Sequence, residues 1–154
     1  MENDLLKKEY SVTLKFYKAL EMINGDKKIV CKVRQAVYTA SKKQLERAIF
    51  QDSFKASLFQ FETEIEMQRF FKEKKFRPGS VFELLPLLIS FPKLKEIDIV
   101  AFGSYISVEY KDLFHLFSNS KKNVEKFNLD FSCYSKCCFE FKKRENFFVL
   151  AIKE

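Results

Sequence analysis

Apolar and polar residues change rhythm several times along this chain, and each change marks an element. From 27 to 38, "KKIVCKVRQAVY" sets Ile29, Cys31 and Val33 on one parity and Val30, Lys32 and Arg34 on the other. A period of two with β-branched residues predicts a strand. The preceding residues 4–23 carry both rhythms: Leu5, Leu6, Leu14, Phe16, Tyr17, Leu20 and Ile23 suit one side of a helix or the flanks of a strand. Asn24-Gly25-Asp26 stops that element. "TASKKQ" (39–44) reads as a polar loop, and "LERAIFQ" (45–51) and "KASLFQF" (55–61) as two strands joined through a turn at Asp52-Ser53.

The rhythm then becomes helical. In 63–76, Ile65, Met67, Phe70 and Phe71 form a stripe, and Thr63 with Glu66 fits a capping box. Lys72, Lys74 and Lys75 load the C-terminal end, as the helix dipole favours. "RPGS" (77–80) breaks the pattern. "VFELLPLLIS" (81–90) and "KEIDIVAFGSYISVEY" (95–110) read as strands, with Gly103 predicting a bulge or bend in the second. "YKDLFHLFSNS" (110–120) reads as a short helix. "VEKFNLDFSCYS" and "CCFEFKKRENFFVLAIKE" read as strands, with turns near Ser135-Lys136 and Arg144-Glu145-Asn146.

The 154 residues suit a single domain, 1–154. A composition 47% hydrophobic and 32% charged can bury a core and stay soluble. Three Gly and three Pro argue against a low-complexity chain. The formal net charge of +7 points toward polyanionic partners, although a lysine-rich solvated surface gives the same total. "MENDLLKKEY" is no secretory leader, so Cys31, Cys133, Cys137 and Cys138 are expected reduced, in a nuclear or cytoplasmic rather than secreted protein. The longest apolar run, "VFELLPLLISF", holds Glu83 and Pro86 and falls short of the ~20 residues of a membrane span.

Three strands, a helix and two further strands predict a mainly β fold with helices: a five-stranded Greek-key β-barrel with a helix between strands 3 and 4. Here "LERAIFQDSFKASLFQF" resembles the second and third strands of the OB-fold single-stranded nucleic-acid-binding superfamily, of the replication protein A and protection-of-telomeres type. Asp52 opens the turn and Phe61 ends strand three. "FRPGSVFEL" resembles the entry to strand four, and "IDIVAFGSYISV" the closing strand. The resemblance covers about residues 25–110. It leaves 4–23 as an N-terminal element and 111–154 as a C-terminal extension, and it departs where Phe54 and Lys55 stand in place of the usual glycine.

The resemblance implies a non-enzymatic protein that binds single-stranded DNA, with RNA possible, at telomeres or in replication and repair. Bases would stack on aromatics while Lys and Arg follow the phosphates. The candidate contacts are Lys32, Arg34 and Tyr38 on the first strand, Lys42 and Lys43 in the loop after it, Arg47, Lys55 and Phe59 on the next two, and Tyr105 on the fifth. Phe59 and Phe61 share parity and so share a face, where a core placement competes with stacking. An alternative keeps the barrel as a protein–protein subunit docking through its N- and C-terminal elements.

A different pattern favours a leucine-rich-repeat adaptor. Leu94, Ile97 and Ile99 have L-x-x-L-x-L spacing, Val124, Phe127 and Leu129 repeat it, and Phe147, Leu150 and Ile152 follow. No metal or other cofactor is expected, because "CYSKCC" lacks a second ligand pair and His115 is the only histidine. That histidine sits in apolar "LFHLF", and Gly25, Gly79 and Gly103 form no phosphate-binding loop, so catalysis is not expected.

Overall fold

A computed structural model describes residues 9–22, 41–108, 111–118, 130–135 and 147–154. The elements run β1 (Tyr10–Val12), α1 (Phe16–Met22), α2 (Lys42–Phe50), β2 (Phe54–Phe59), α3 (Glu64–Lys74), β3 (Phe76–Pro78), α4 (Val81–Ser90), a 3₁₀ turn (Pro92–Glu96), β4 (Asp98–Val108), β5 (Lys111–Ser118), β6 (Asp130–Ser135) and β7 (Phe147–Lys153).

The strands form an open mixed sheet in the order β1-β2-β7-β4-β5-β6, not a closed barrel. The last strand lies in the middle. One edge of β7 pairs antiparallel with β2 (Leu58 opposite Leu150). Its other edge is shared: Phe147–Val149 pair parallel with β4, and Ala151–Lys153 pair antiparallel with β3. The five-stranded barrel is thereby corrected. The strand that would have closed it runs instead into β5 and β6, which extend the sheet outward as an antiparallel meander. A repeat solenoid would stack its strands in parallel, yet among the described strands only β4 and β7 pair that way.

Alternation along β7 shows why both faces are covered. Phe148, Leu150 and Ile152 join one core with Tyr10, Val12, Ala56, Leu58, Ile99 and the apolar side chains of α4. Val149 and Ala151 join Val100, Met67 and Phe71 of α3 on the other face. A period of two on a strand buried on both sides reads as a continuous apolar run, which is what "FFVLAI" is. Helices α1 and α4 belong to the first face, α3 to the second.

Residues 81–90 are a helix, not a strand. Every residue from Val81 to Ile89 is buried, Glu83 and Pro86 included, so the helix has no polar face to give it a period. A run apolar on all sides carries no periodic signal that separates buried helix from buried strand. Its start was nonetheless legible: Ser80 and Glu83 have capping-box spacing, and the Glu83 carboxylate accepts from the Ser80 N–H at 3.1 Å and hydroxyl at 3.0 Å. Of the expected strand at 45–51, residues 45–50 belong to α2, and residues 111–118 form β5, not a helix. The expected helix at 63–76 is α3, where the Thr63 hydroxyl accepts from the Glu66 N–H at 3.1 Å. Within the expected element at 4–23, the described residues supply both a strand and a helix, β1 and α1. The expected strand at 27–38 lies outside the described residues.

Two glycines let β3, β4 and β7 meet. A Cβ on Gly103 would stand 2.5 Å from the Pro78 carbonyl oxygen and 2.8 Å from that of Gly79. The Gly103 N–H donates to that Gly79 oxygen at 2.8 Å. The β4–β5 register shifts between Ala101 and Tyr105, around this contact, as the bulge expected at Gly103 requires. Among the described residues no helix is long and apolar enough to cross a membrane.

Candidate nucleic-acid interface

The sequence "KKQLERAIF" forms α2 because it holds strong helix formers and neither Gly nor Pro. The helix starts as the Leu45 N–H donates to the Ser41 carbonyl at 3.1 Å. It closes as the Gln51 N–H reaches the Arg47 carbonyl at 2.9 Å. Leu45 packs toward the core. Positions 43, 46, 47, 50 and 51 follow helical spacing and bring Lys43, Glu46, Arg47, Phe50 and Gln51 to one groove. Apolar residues usually occupy such a stripe on a packed helix. Here it is charged, and Phe50 stands 74% exposed at its end.

The other wall of the groove comes from Arg77 on β3 and from Lys153 and Glu154 at the end of β7. The Glu154 N–H donates to the Lys75 carbonyl at 3.0 Å, which fixes this end of the chain against the α3–β3 junction. The groove has a volume of about 750 Å³ and is open to solvent. Lys43, Arg47, Arg77 and Lys153 line it against Glu46 and Glu154. Lys153 also lies 3.8 Å from Glu9, an exposed pair of little energetic weight.

Behind the groove lies a much smaller cavity of about 40 Å³. Arg47, Gln51 and Arg77 line both spaces. The inner walls are Leu14, Phe16, Phe54 and Phe82, with the polar groups of Ser80 and Glu83. Arg77 is held there by Glu83: its Nη1 donates to one carboxylate oxygen at 2.9 Å and its Nη2 to the other. In the turn after α2, Asp52 binds Lys15 at 3.0 Å and raises that ammonium above its ordinary pKa, through the hydrogen bond first and the charge second. Asp52-Ser53 thus joins a helix to a strand, not two strands.

Of the expected contacts, the structure brings Lys43 and Arg47 together. Both sit on a helix, which corrects the loop and strand placements. Lys42 shares the helix and is exposed but does not line the groove. Lys55 is exposed on β2, on the opposite parity from core residues Ala56 and Leu58. Phe59 is not a free platform. Its ring lies 4.7 Å from Phe70, 5.3 Å from Phe76 and 6.2 Å from Phe61, within the α3 core. Tyr105 follows the bulge in β4, opposite Phe114 in register. Lys32, Arg34 and Tyr38 lie outside the described residues.

Phe50, Gln51, Arg77 and Lys153 were missed as groove residues. Lys43, Arg47 and Phe50 recur at i, i+4 and i+7, a helical signal present in the sequence once the strand assignment is dropped. Arg77 and Lys153 come from distant strands that only the sheet joins. Among the described residues, no three His, Cys, Asp or Glu side chains gather as metal ligands do. Compared with known protein families, curated proteins and solved structures, the chain matches none.

Proposed function

We propose that this protein binds single-stranded nucleic acid, DNA before RNA, in the groove between α2 and the β3–β7 edge. The observation that carries it is the stripe of Lys43, Arg47 and exposed Phe50 facing Lys153 across an open groove. Two cations spaced one helical turn apart suit successive backbone phosphates. An exposed ring beside them offers a base a stacking surface, worth about 1–3 kcal/mol. The surplus of Lys and Arg over Asp and Glu, +7 for the whole chain, favours the approach of a polyanion. Binding takes place at the helix edge of an open α/β sheet and not on a barrel. The test is fluorescence anisotropy with labelled single-stranded DNA and RNA over a range of salt. Micromolar or tighter binding that weakens steeply with salt supports the proposal, and no binding at low salt ends it.

A second reading follows from the N-terminal element. Helix α1 exposes Tyr17 (45%) and Met22 (60%). Beside β1, a cavity of about 320 Å³ is lined by Tyr10, Phe91, Pro92 and Leu94. Such surfaces suit a protein partner. A stable partner that co-purifies with the wild type and is lost on Tyr17→Ser/Met22→Ser supports docking there.

A further inference from the structure

We infer that the inner end of the groove receives a terminal phosphate of the bound strand, an inference that rests on the nucleic-acid reading above. The small cavity joins the groove through Arg47, Gln51 and Arg77, which line both. About 10–15 Å³ of such volume holds one water, so ~40 Å³ accommodates a few oxygen-sized atoms and excludes a base or a ribose. An anion's oxygens are therefore the part of a nucleotide that fits.

The donors suit that group. A guanidinium carries five N–H donors in a planar fork. Arg77 gives two of them to Glu83, which fixes its plane and leaves three outside that pair. Arg47 is half-buried and lines the same cavity, and the Gln51 amide, whose Nε2 donates to the Ser53 carbonyl at 3.4 Å, has one N–H outside that bond. Glu83 balances the charge of Arg77, so Arg47 supplies the net positive charge. The apolar walls of Leu14, Phe16, Phe54 and Phe82 lower the local dielectric and strengthen each charge-assisted bond. An internal phosphodiester carries a sugar on both sides and cannot enter a space of about 40 Å³. A terminal monoester, attached on one side and close to doubly charged, can.

The experiment uses the full chain and three probes: inorganic phosphate, and one oligonucleotide with and without a terminal phosphate, tested at the 5′ and 3′ ends separately. The terminal phosphate at one end tightens binding about tenfold, the value of one added charge-assisted bond. Arg47→Gln abolishes that advantage, while Lys153→Gln, outside the small cavity, weakens both forms alike and keeps it. Inorganic phosphate raises the thermal midpoint of the wild type but not of Arg47→Gln. If oligonucleotides bind equally with or without the phosphate and inorganic phosphate has no effect, the inference falls while the nucleic-acid reading stands. If inorganic phosphate binds through Arg47 but no oligonucleotide does, the phosphate receptor stands and the nucleic-acid reading falls. If no probe binds, both fall.

Discussion

Arg77 on β3 holds both carboxylate oxygens of Glu83 on α4, joining the strand beside the groove to the helix buried beneath it. The side chains are only 13% and 6% exposed. A buried ion pair contributes little relative to apolar packing, but breaking it strands a charge at a cost of about 3–5 kcal/mol. Arg77→Met is therefore expected to destabilise by about that amount in urea unfolding. Arg77→Met with Glu83→Gln should recover more than half, because Gln removes the stranded charge and keeps an acceptor for the Ser80 N–H. Equal stability of the single and double variants would show that the charge is not what matters.

The second prediction concerns the junction of three strands. Gly103→Ala places a methyl group against the carbonyls of Pro78 and Gly79, which are backbone and cannot rotate away. The loss should be about 1–3 kcal/mol, as for other overpacked sites. Denaturant unfolding checks it, and a change below about 0.5 kcal/mol would mean that β3 and β4 are not held this closely.

Phe59 and Phe50 should behave in opposite ways. Phe59→Ala empties a site among Phe61, Phe70 and Phe76 and should cost about 2–4 kcal/mol, somewhat under the range for a fully buried ring. The variant that remains folded should bind an oligonucleotide as the wild type does. Phe50→Ala should leave stability within about 0.5 kcal/mol and weaken binding by about tenfold. The reverse pattern would return Phe59 to the binding surface.

Burial raises the pKa of Tyr10 above 10.0. Its folded pKa exceeds its unfolded one, so the folded state holds this proton longer. The stability tied to Tyr10 is complete below about pH 10 and is lost as pH rises through the folded value. In an absorbance titration, the difference between wild type and Tyr10→Phe should be a phenolate transition centred above pH 10. A transition centred at or below 10 would place Tyr10 in water.

Much of this architecture was legible where one face of an element meets water. Thr63, Glu66 and the stripe from Met67 to Phe71 marked α3, and the run "KASLFQF" marked β2. The pattern failed where that asymmetry vanished. In α4 every position from Val81 to Ile89 is buried, so composition alone could not separate helix from strand. In α2 the exposed face carries Phe50 among charged residues, and the ring imitated a strand's apolar position. Topology was lost for another reason. β7 sits centrally only because its last residues pair with β2 and β3, which precede it by about ninety and seventy residues, and no local pattern encodes that choice. The site was half visible for the same reason: Lys43 and Arg47 are local, while Arg77 and Lys153 reach the groove through the sheet.

The most direct measurement is the salt dependence of oligonucleotide affinity for the wild type and for Lys43→Gln/Arg47→Gln. Each phosphate contact on a single strand contributes about 0.7 to the slope of log affinity against log salt. Removing both cations should lower that slope by about 1.4 and weaken binding, with the thermal midpoint little changed. A matched variant at exposed Lys72 and Lys74 on α3 should leave the slope near wild type. An unchanged slope in Lys43→Gln/Arg47→Gln, or a wild type that binds no oligonucleotide at low salt, would contradict a nucleic-acid groove along α2.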